Sequence, residues 1–358
     1  MGPEARAARR RPGQAPLSGA RLAPLLIGAG GALVLVALAA ACVGPVTVPL
    51  GDTWRTVVGH LTGDTGGLDP ALDQIVWGYR LPRVVLALLC GAGLSVAGVV
   101  LQALVNNPLA DPYVLGLSSG ASFGAVLVIV GAGGVIGGLG TSFAAFLGAA
   151  LAITLVFALG QQRGRLAPTR VVLAGVAVGY LLLAATSYLQ LRANPNELRQ
   201  VVFWSLGSVA GATWDQLGVV TAVVLISVGV LLLHGRRLNA LGAGDEQATA
   251  LGVDVRALRI GLLALSSLVT GVLIAAAGGI GFVGLMVPHL VRLTVGLDHR
   301  RVLPLAALVG ATYLVVVDLL SRTVDPPNEL PIGIFTAAFG APFFLWLLRR
   351  NQSIGAGT

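Results

Sequence analysis

The sequence contains no lysine, since all 23 of its basic residues are arginine. The phosphate-binding loop of ATPases, G-x-x-x-x-G-K-[ST], requires a lysine, so the chain has no standard ATP site of its own. Only two cysteines are present, Cys42 and Cys90, and both lie in apolar runs. This excludes a disulfide framework and a cysteine-based zinc site. Charged residues make up 11% of the chain, against about 25% in soluble domains, which excludes an ordinary globular protein.

Apolar residues take the place of the missing charges. They make up 56% of the 358 residues, and the mean hydropathy is +0.87. A membrane-spanning helix needs about 20 apolar residues, and ten such stretches follow one another, so the sequence predicts an all-α polytopic membrane protein. The predicted spans are 22–43, 84–105, 113–131, 141–160, 170–191, 215–234, 258–277, 282–297, 302–320 and 332–348.

The distribution of arginine predicts the orientation. If the N-terminus lies inside, the inner segments carry 16 arginines and the outer segments six. Cytoplasmic loops are enriched in arginine, so this count favours ten spans with both termini cytoplasmic. The net charge of +8 then reflects orientation in the membrane rather than nucleic-acid binding. We expect a disordered basic arm at 1–21, a membrane domain at 22–350, a tail at 351–358 and a long outer loop at 44–80.

Three patterns that suggest other functions are weak. The G-x-G-x-x-G pattern at 279–284 lies between two apolar spans, without the strand that dinucleotide binding requires. His289 has no partner ligands nearby in sequence, so a helix-end hydrogen bond is favoured over a metal site. Asp318 lies four residues before Arg322, which predicts an ion pair, with a proton-coupling carboxylate as the alternative.

Small residues recur at helical spacing. Gly116, Gly120 and Gly124 share one helix face, and so do Gly175 and Gly179. Such faces allow close helix approach. We expect packing within the chain, with a dimer interface as the alternative.

The longest inner loop, 235–257, contains a predicted short helix. Asp245 and the acid that follows it open this helix, Ala248 and Leu251 are its apolar positions, and Gly252 ends it. A short amphipathic helix on the cytoplasmic side either docks on a partner protein or lies on lipid. The mixed charges favour docking on a protein.

Several segments together, in order from about residue 25 to 350, resemble the FecCD-type permeases of bacterial ABC importers for iron–siderophores, haem and vitamin B12. The matching segments are R-L-P-R at 80–83, N-P-L-A-D-P at 107–112, W-S-L-G-S at 204–208, the 238–253 loop, F-V-G-L-M-V-P-H at 282–289 with Arg292 and D-H-R at 298–300, and Asp318 to Arg322 with 329–334 and 340–344.

The resemblance implies a multi-pass protein of the bacterial cytoplasmic membrane. It implies a dimer of permease subunits, either homo- or heterodimeric, with two ABC ATPase subunits below and an extracytoplasmic substrate-binding protein outside. ATP and Mg would be bound by the ATPase, which leaves no cofactor, metal or catalytic residue to this chain.

The resemblance also assigns roles to residues. Arg80, Arg83 and Arg322 match the outer arginines that receive acidic residues of the binding protein. The cytoplasmic gate would include Asn107, Pro108, Leu109 and Thr169; Pro168 stands where the vitamin B12 permease has a hydroxyl residue, which disfavours that substrate. The 238–253 loop would couple to the ATPase through Leu238, Asn239, Leu241, Gly242, Asp245, Glu246, Ala248, Leu251 and Gly252.

The expected function is ATP-driven import of a ferric siderophore by alternating access, with haem or vitamin B12 as alternative substrates. A proton-coupled secondary transporter, an intramembrane enzyme and a membrane scaffold are the rival classes. The first would need a titratable group near the membrane midplane, and Asp318 is the nearest carboxylate.

Overall fold

The computed structural model describes residues 19–131, 138–162, 165–166 and 168–355. About four fifths of them are helical. The α-helices are α1 Gly19–Cys42, α2 Leu50–Thr62, α3 Pro70–Asp73, α4 Leu81–Val105, α5 Leu117–Gly131, α6 Gly138–Gly160, α7 Pro168–Gln190, α8 Pro195–Leu206, α9 Trp214–Leu233, α10 Gly235–Gly242, α11 Asp245–Ala250, α12 Val255–Ala277, α13 Val283–Val295, α14 His299–Ser321 and α15 Ile332–Gly355. A π-helix (Gln74–Arg80), a 3₁₀ turn (Pro112–Leu115) and two short strands, β1 Gln161–Gln162 and β2 Arg165–Leu166, complete the described elements.

The all-α polytopic prediction is confirmed. Seven described helices are long and apolar enough to cross a membrane, and three shorter apolar helices, within α5, α13 and α15, occupy the other predicted spans. Two boundaries differ from expectation. Helix α1 begins at Gly19, inside the predicted arm, and α15 continues to Gly355, into the predicted tail. The rest of the arm, residues 1–18, lies outside the described residues.

The outer segment 44–80, predicted as a loop, is largely helical. The Asp69 side chain caps α3 by accepting from the backbone amides of Ala71 and Leu72, and α3 then continues through the π-helix into α4. Helix α2 is tied to this segment because His60 Nε2 lies 2.7 Å from Asp73 Oδ1. The Asp69 cap and the His60–Asp73 contact therefore stabilise helices in this segment, although its glycine and proline content is typical of irregular structure.

Helix α4 forms the centre of the molecule, and almost all of its residues are buried. It packs against α14, α12, α13 and α9. The closest approaches use glycine: a Cβ at Gly91 would lie 2.1 Å from the Gly310 carbonyl oxygen, and one at Gly98 would lie 2.0 Å from the Gly284 oxygen. Backbones at this separation admit no side chain, so these positions fix how α14 and α13 approach α4.

The other glycine rows pack within the chain, as expected. A Cβ at Gly120 would meet the Gly148 oxygen at 2.3 Å, and one at Gly124 would meet the Ala144 oxygen at 2.0 Å, both on α6. Gly116 instead approaches the Gly175 oxygen of α7. Large apolar side chains of α1, α7 and α9 are exposed, as a surface facing lipid requires.

Candidate functional site

The predicted docking arginines lie together at the outer ends of the helices, but their side chains are directed into the protein. Arg83 Nε donates to Asp318 Oδ1 (2.6 Å), and its Nη1 donates to both Glu329 carboxylate oxygens (3.0 and 2.8 Å). Arg322 Nη2 lies 3.3 Å from Asp318 Oδ2. The predicted Asp318–Arg322 ion pair is therefore present, and Arg83 joins it from α4.

Two arginines of this cluster also cap α1. Arg80 Nη1 donates to the Ala41 and Cys42 carbonyl oxygens (2.9 and 2.7 Å), and Arg322 Nη2 donates to the Ala40 oxygen (2.8 Å). The last carbonyls of a helix have no partners within it and carry partial negative charge. Two guanidinium groups therefore satisfy the end of α1 and hold it against α4 and α14.

The three arginines are buried, with exposures of 6% for Arg80, 8% for Arg83 and 3% for Arg322. They nevertheless line one cavity of about 370 Å³, together with Glu329 and Tyr79. In the whole cluster, the three guanidinium groups are accompanied by the carboxylates of Asp318 and Glu329. The cluster therefore has one positive charge in excess. Their first role is structural, and docking by these arginines stays a prediction.

The predicted gate forms a tight turn at the inner end of α4. Asn106 ends the helix with φ of 52°, and Asn107 Oδ1 accepts from the Leu109 backbone amide (2.9 Å). The Leu109 side chain is half exposed. Thr169 is exposed at the start of α7 and does not line the cavity that borders this turn. The gate role of Thr169 stays a prediction.

The turn is followed by a buried carboxylate. The Asp111 side chain accepts from the Tyr113 backbone amide (2.8 Å) and is 5% exposed. Burial raises the pKa of Asp111 to about 6, and the hydrogen bond from Tyr113 opposes that shift. The Tyr113 hydroxyl in turn accepts from the backbone amide of Ile280, which fixes the turn to the segment before α13.

A cavity of about 610 Å³ joins the gate turn to the coupling loop. Asn107 and Pro108 line one side of it, and Asn239 and Gly242 line the other. Arg292 also borders it and donates to the Gln102 side chain of α4. The motif at 282–289 is followed by Arg292, but the sequence predicted no role for this arginine. Only the fold brings α13 beside α4.

The predicted coupling loop forms two short helices, α10 and α11. Leu238 and Leu241 of α10 and Ala248 of α11 are buried and anchor the pair. Gly252, with φ of 80°, follows α11, as its predicted C-cap role requires. The predicted coupling residues that are exposed are Gly242, Asp245, Glu246, Leu251 and Gly252.

Asn239 connects α10 to the start of α14. Its Nδ2 donates to Asp298 Oδ1 (2.7 Å), while its Oδ1 accepts from the His299 backbone amide (2.9 Å) and lies 2.8 Å from His299 Nδ1. The hydrogen bonds from Arg300 hold the pKa of the Asp298 carboxyl well below its usual range. These hydrogen bonds attach α10 to the first residues of α14.

The described residues contain no group of three or more His, Cys, Asp or Glu side chains that could hold a metal ion. The geometry instead comprises a charged cavity outside, a gate turn inside and a helix pair anchored beside it.

The chain is similar to known proteins over most of its length. The sequence profile of the FecCD transport family matches residues 32–350. The chain is 39% identical over 329 residues to the hemin transport system permease protein HmuU of Yersinia pestis, covering 91% of this chain and 95% of that protein. It is 43% identical over 286 residues to the cobalamin import system permease protein BtuC of Halobacterium salinarum, covering 80% and 76%.

A solved structure is also similar. It is an inward-facing conformation of a metal-chelate type ABC transporter, with a TM-score of 0.80 and 33% identity over 92% of this chain and 99% of that one. The agreement extends over nearly the whole membrane domain. The chain therefore belongs to the FecCD transport family.

Proposed function

We propose that this protein, an ABC importer permease, carries a bulky metal chelate across the membrane, with a ferric siderophore as the first expected substrate. The α10–α11 pair is the observation that carries this proposal. It is anchored by Leu238 and Leu241, bonded to α14 through Asn239, and leaves Leu251 72% exposed for a partner.

The mechanism follows from these contacts. ATP binding draws together two ATPase subunits that sit below a permease dimer, and they displace α10 and α11. Because Asn239 bonds both Asp298 and His299, α14 moves with α10. The cavity between Asn239 and Asn107 then changes shape, and the inner gate opens or closes. The binding protein delivers substrate at the outer arginine cavity.

The names of two relatives support a metal chelate as the substrate. Hemin and cobalamin appear in their names, and both compounds, like ferric siderophores, are large metal chelates. The loss of one hydroxyl at Pro168 disfavours vitamin B12. The relatives' names therefore support a metal chelate as the substrate, with haem and vitamin B12 as the alternatives to a ferric siderophore.

Uptake in a deletion strain starved of iron distinguishes the substrates. Radiolabelled iron is supplied on a panel of siderophores and as haem, with labelled vitamin B12 alongside. We expect loss of uptake for one iron chelate, restored by the intact gene. Loss confined to vitamin B12 would overturn the siderophore expectation, and loss of none would contradict the chelate class.

Purified components separate this mechanism from a secondary transporter. Proteoliposomes that contain the permease, its ATPase and the loaded binding protein should accumulate substrate only with ATP. Uptake driven by an imposed proton gradient without the ATPase would refute ATP-driven import.

A further inference from the structure

A groove of about 850 Å³, the α9–α12 groove, lies where α9 ends and α12 begins. Polar residues form its mouth and apolar residues its interior. The mouth residues are His234, Arg236, Arg237 and Asp254, and the apolar residues include Val230, Leu258, Leu262 and Leu265. The predicted orientation places this mouth at the cytoplasmic surface of the membrane.

The mouth carries net positive charge. Arg236 and Arg237 are exposed, and no salt bridge in the described part of the chain includes either one. His234 Nδ1 lies 2.8 Å from the Val230 carbonyl oxygen, so the other ring nitrogen, 3.2 Å from Arg237 Nη1, accepts from the guanidinium. Asp254 accepts from the Ala257 backbone amide (2.9 Å), so its carboxylate caps the start of α12.

The groove extends well into the membrane. Leu265 lies seven positions after Leu258, where the predicted span begins, which corresponds to about 10 Å along a helix and about a third of the hydrocarbon core. Gly261 leaves open space in the groove, because a Cβ built there meets no atom within 4 Å. The interior therefore suits an acyl chain of one leaflet.

We propose that the α9–α12 groove binds an anionic phospholipid of the cytoplasmic leaflet. Its phosphate lies between Arg236 and Arg237, since guanidinium groups bind phosphate oxygens in pairs, and one acyl chain follows α12 past Gly261. Val253, between α11 and α12, borders the same groove, so the lipid lies beside the segment that joins these two helices. The proposal stands on the groove alone and is independent of the substrate carried.

Native mass spectrometry of the full-length permease in detergent tests this assignment. Phosphatidylglycerol and phosphatidylcholine are titrated into the wild type, into the double variant Arg236→Gln with Arg237→Gln, and into Gly261→Leu, which fills the interior. Two matched controls retain the groove: Arg256→Gln, an exposed arginine at the start of α12, and Gly218→Leu, an open position on the outer half of α9.

We expect wild type to retain phosphatidylglycerol in preference to phosphatidylcholine. The double variant should lose roughly tenfold in phosphatidylglycerol affinity, as the surface attraction of two arginines implies, and Gly261→Leu should lose retention of both lipids. The controls should match wild type. Folding of each variant is checked by its thermal transition in the same detergent.

Three results would overturn the proposal. Equal retention by wild type and both groove variants would place the lipid elsewhere. Displacement of phosphatidylglycerol by glycerol phosphate at equal concentration would indicate a site for a free phosphate rather than a lipid. Loss of the lipid when the ATPase subunit binds would identify the groove as part of the ATPase interface.

Discussion

At the scale of single residues, the outer arginines show how one side chain can serve both fold and partner. Arg83 is fixed by the buried Asp318, whereas its bond to Glu329 lies at the edge, where the Glu329 side chain is 41% exposed. Breaking the buried pair would leave an uncompensated charge and cost about 3–5 kcal/mol. Exposed pairs contribute only about 0–1 kcal/mol. A carboxylate of another protein can therefore replace Glu329 as the partner of Arg83.

The variant Glu329→Gln tests the docking prediction. Removing this carboxylate leaves Arg83 partly free, so the binding protein should bind roughly fivefold more tightly at low salt, with a smaller gain at high salt. The measurement is the Kd for the purified permease complex at two ionic strengths. Asp325→Asn is the control, because Asp325 bonds Asn328 instead of an arginine. Weaker or unchanged binding would argue against docking at this cavity.

Asp111 gives a pH dependence of stability. Its pKa is raised to about 6 in the folded protein, against about 3.9 when unfolded, so the folded state binds the extra proton. Stability should fall as pH rises from about 4 to 6 and then level off, by at most about 3 kcal/mol. Asp111→Asn keeps an acceptor for the Tyr113 amide and should remove this slope. Thermal unfolding from about pH 4 to 7 measures it, and an unchanged slope would refute the assignment.

At the scale of elements, α10 and α11 combine a buried side and a free side. Leu238 and Leu241 are 0% and 1% exposed, whereas Leu251 is 72% exposed. A buried leucine holds the pair to the permease body, and truncating one costs about 2–5 kcal/mol. The exposed leucine contributes little to the fold, so it is available to a partner groove.

Leu251→Asp should therefore uncouple transport without unfolding the protein. We expect at least a tenfold loss of substrate-stimulated ATPase activity in the reconstituted complex, with the thermal transition unchanged. Val324→Asp, an exposed apolar position on the outer side, is the matched control and should retain coupling. Full stimulation in Leu251→Asp would show that the ATPase contacts a different surface.

At the scale of the whole molecule, α4 sets the packing of the bundle. Gly98→Ala would place a methyl group 2.0 Å from the Gly284 carbonyl oxygen, so α13 must move away. We expect a loss of several kcal/mol or of folded protein altogether. Gly28→Ala in α1, where a Cβ meets nothing within 4 Å, should be neutral or slightly stabilising. Yield and thermal stability in detergent compare the two, and equal behaviour would contradict the packing role.

Local sequence was enough to predict the membrane class, the ten apolar helices, the short α11 helix with its glycine end and the Asp318–Arg322 pair. Each of these depends on neighbours along the chain: apolar run length, capping residues or i,i+4 spacing. The family resemblance came from ordered motifs for the same reason.

The contacts between residues far apart in the chain depend on how the helices pack. Arg83 reaches Asp318 across 235 positions, Arg322 reaches the end of α1 across 282, and Asn239 reaches Asp298 across 59. The structure also made the predicted outer segment at 44–80 largely helical. Such contacts depend on how α4 packs against its neighbours, and residue spacing along the chain carries no information about that packing.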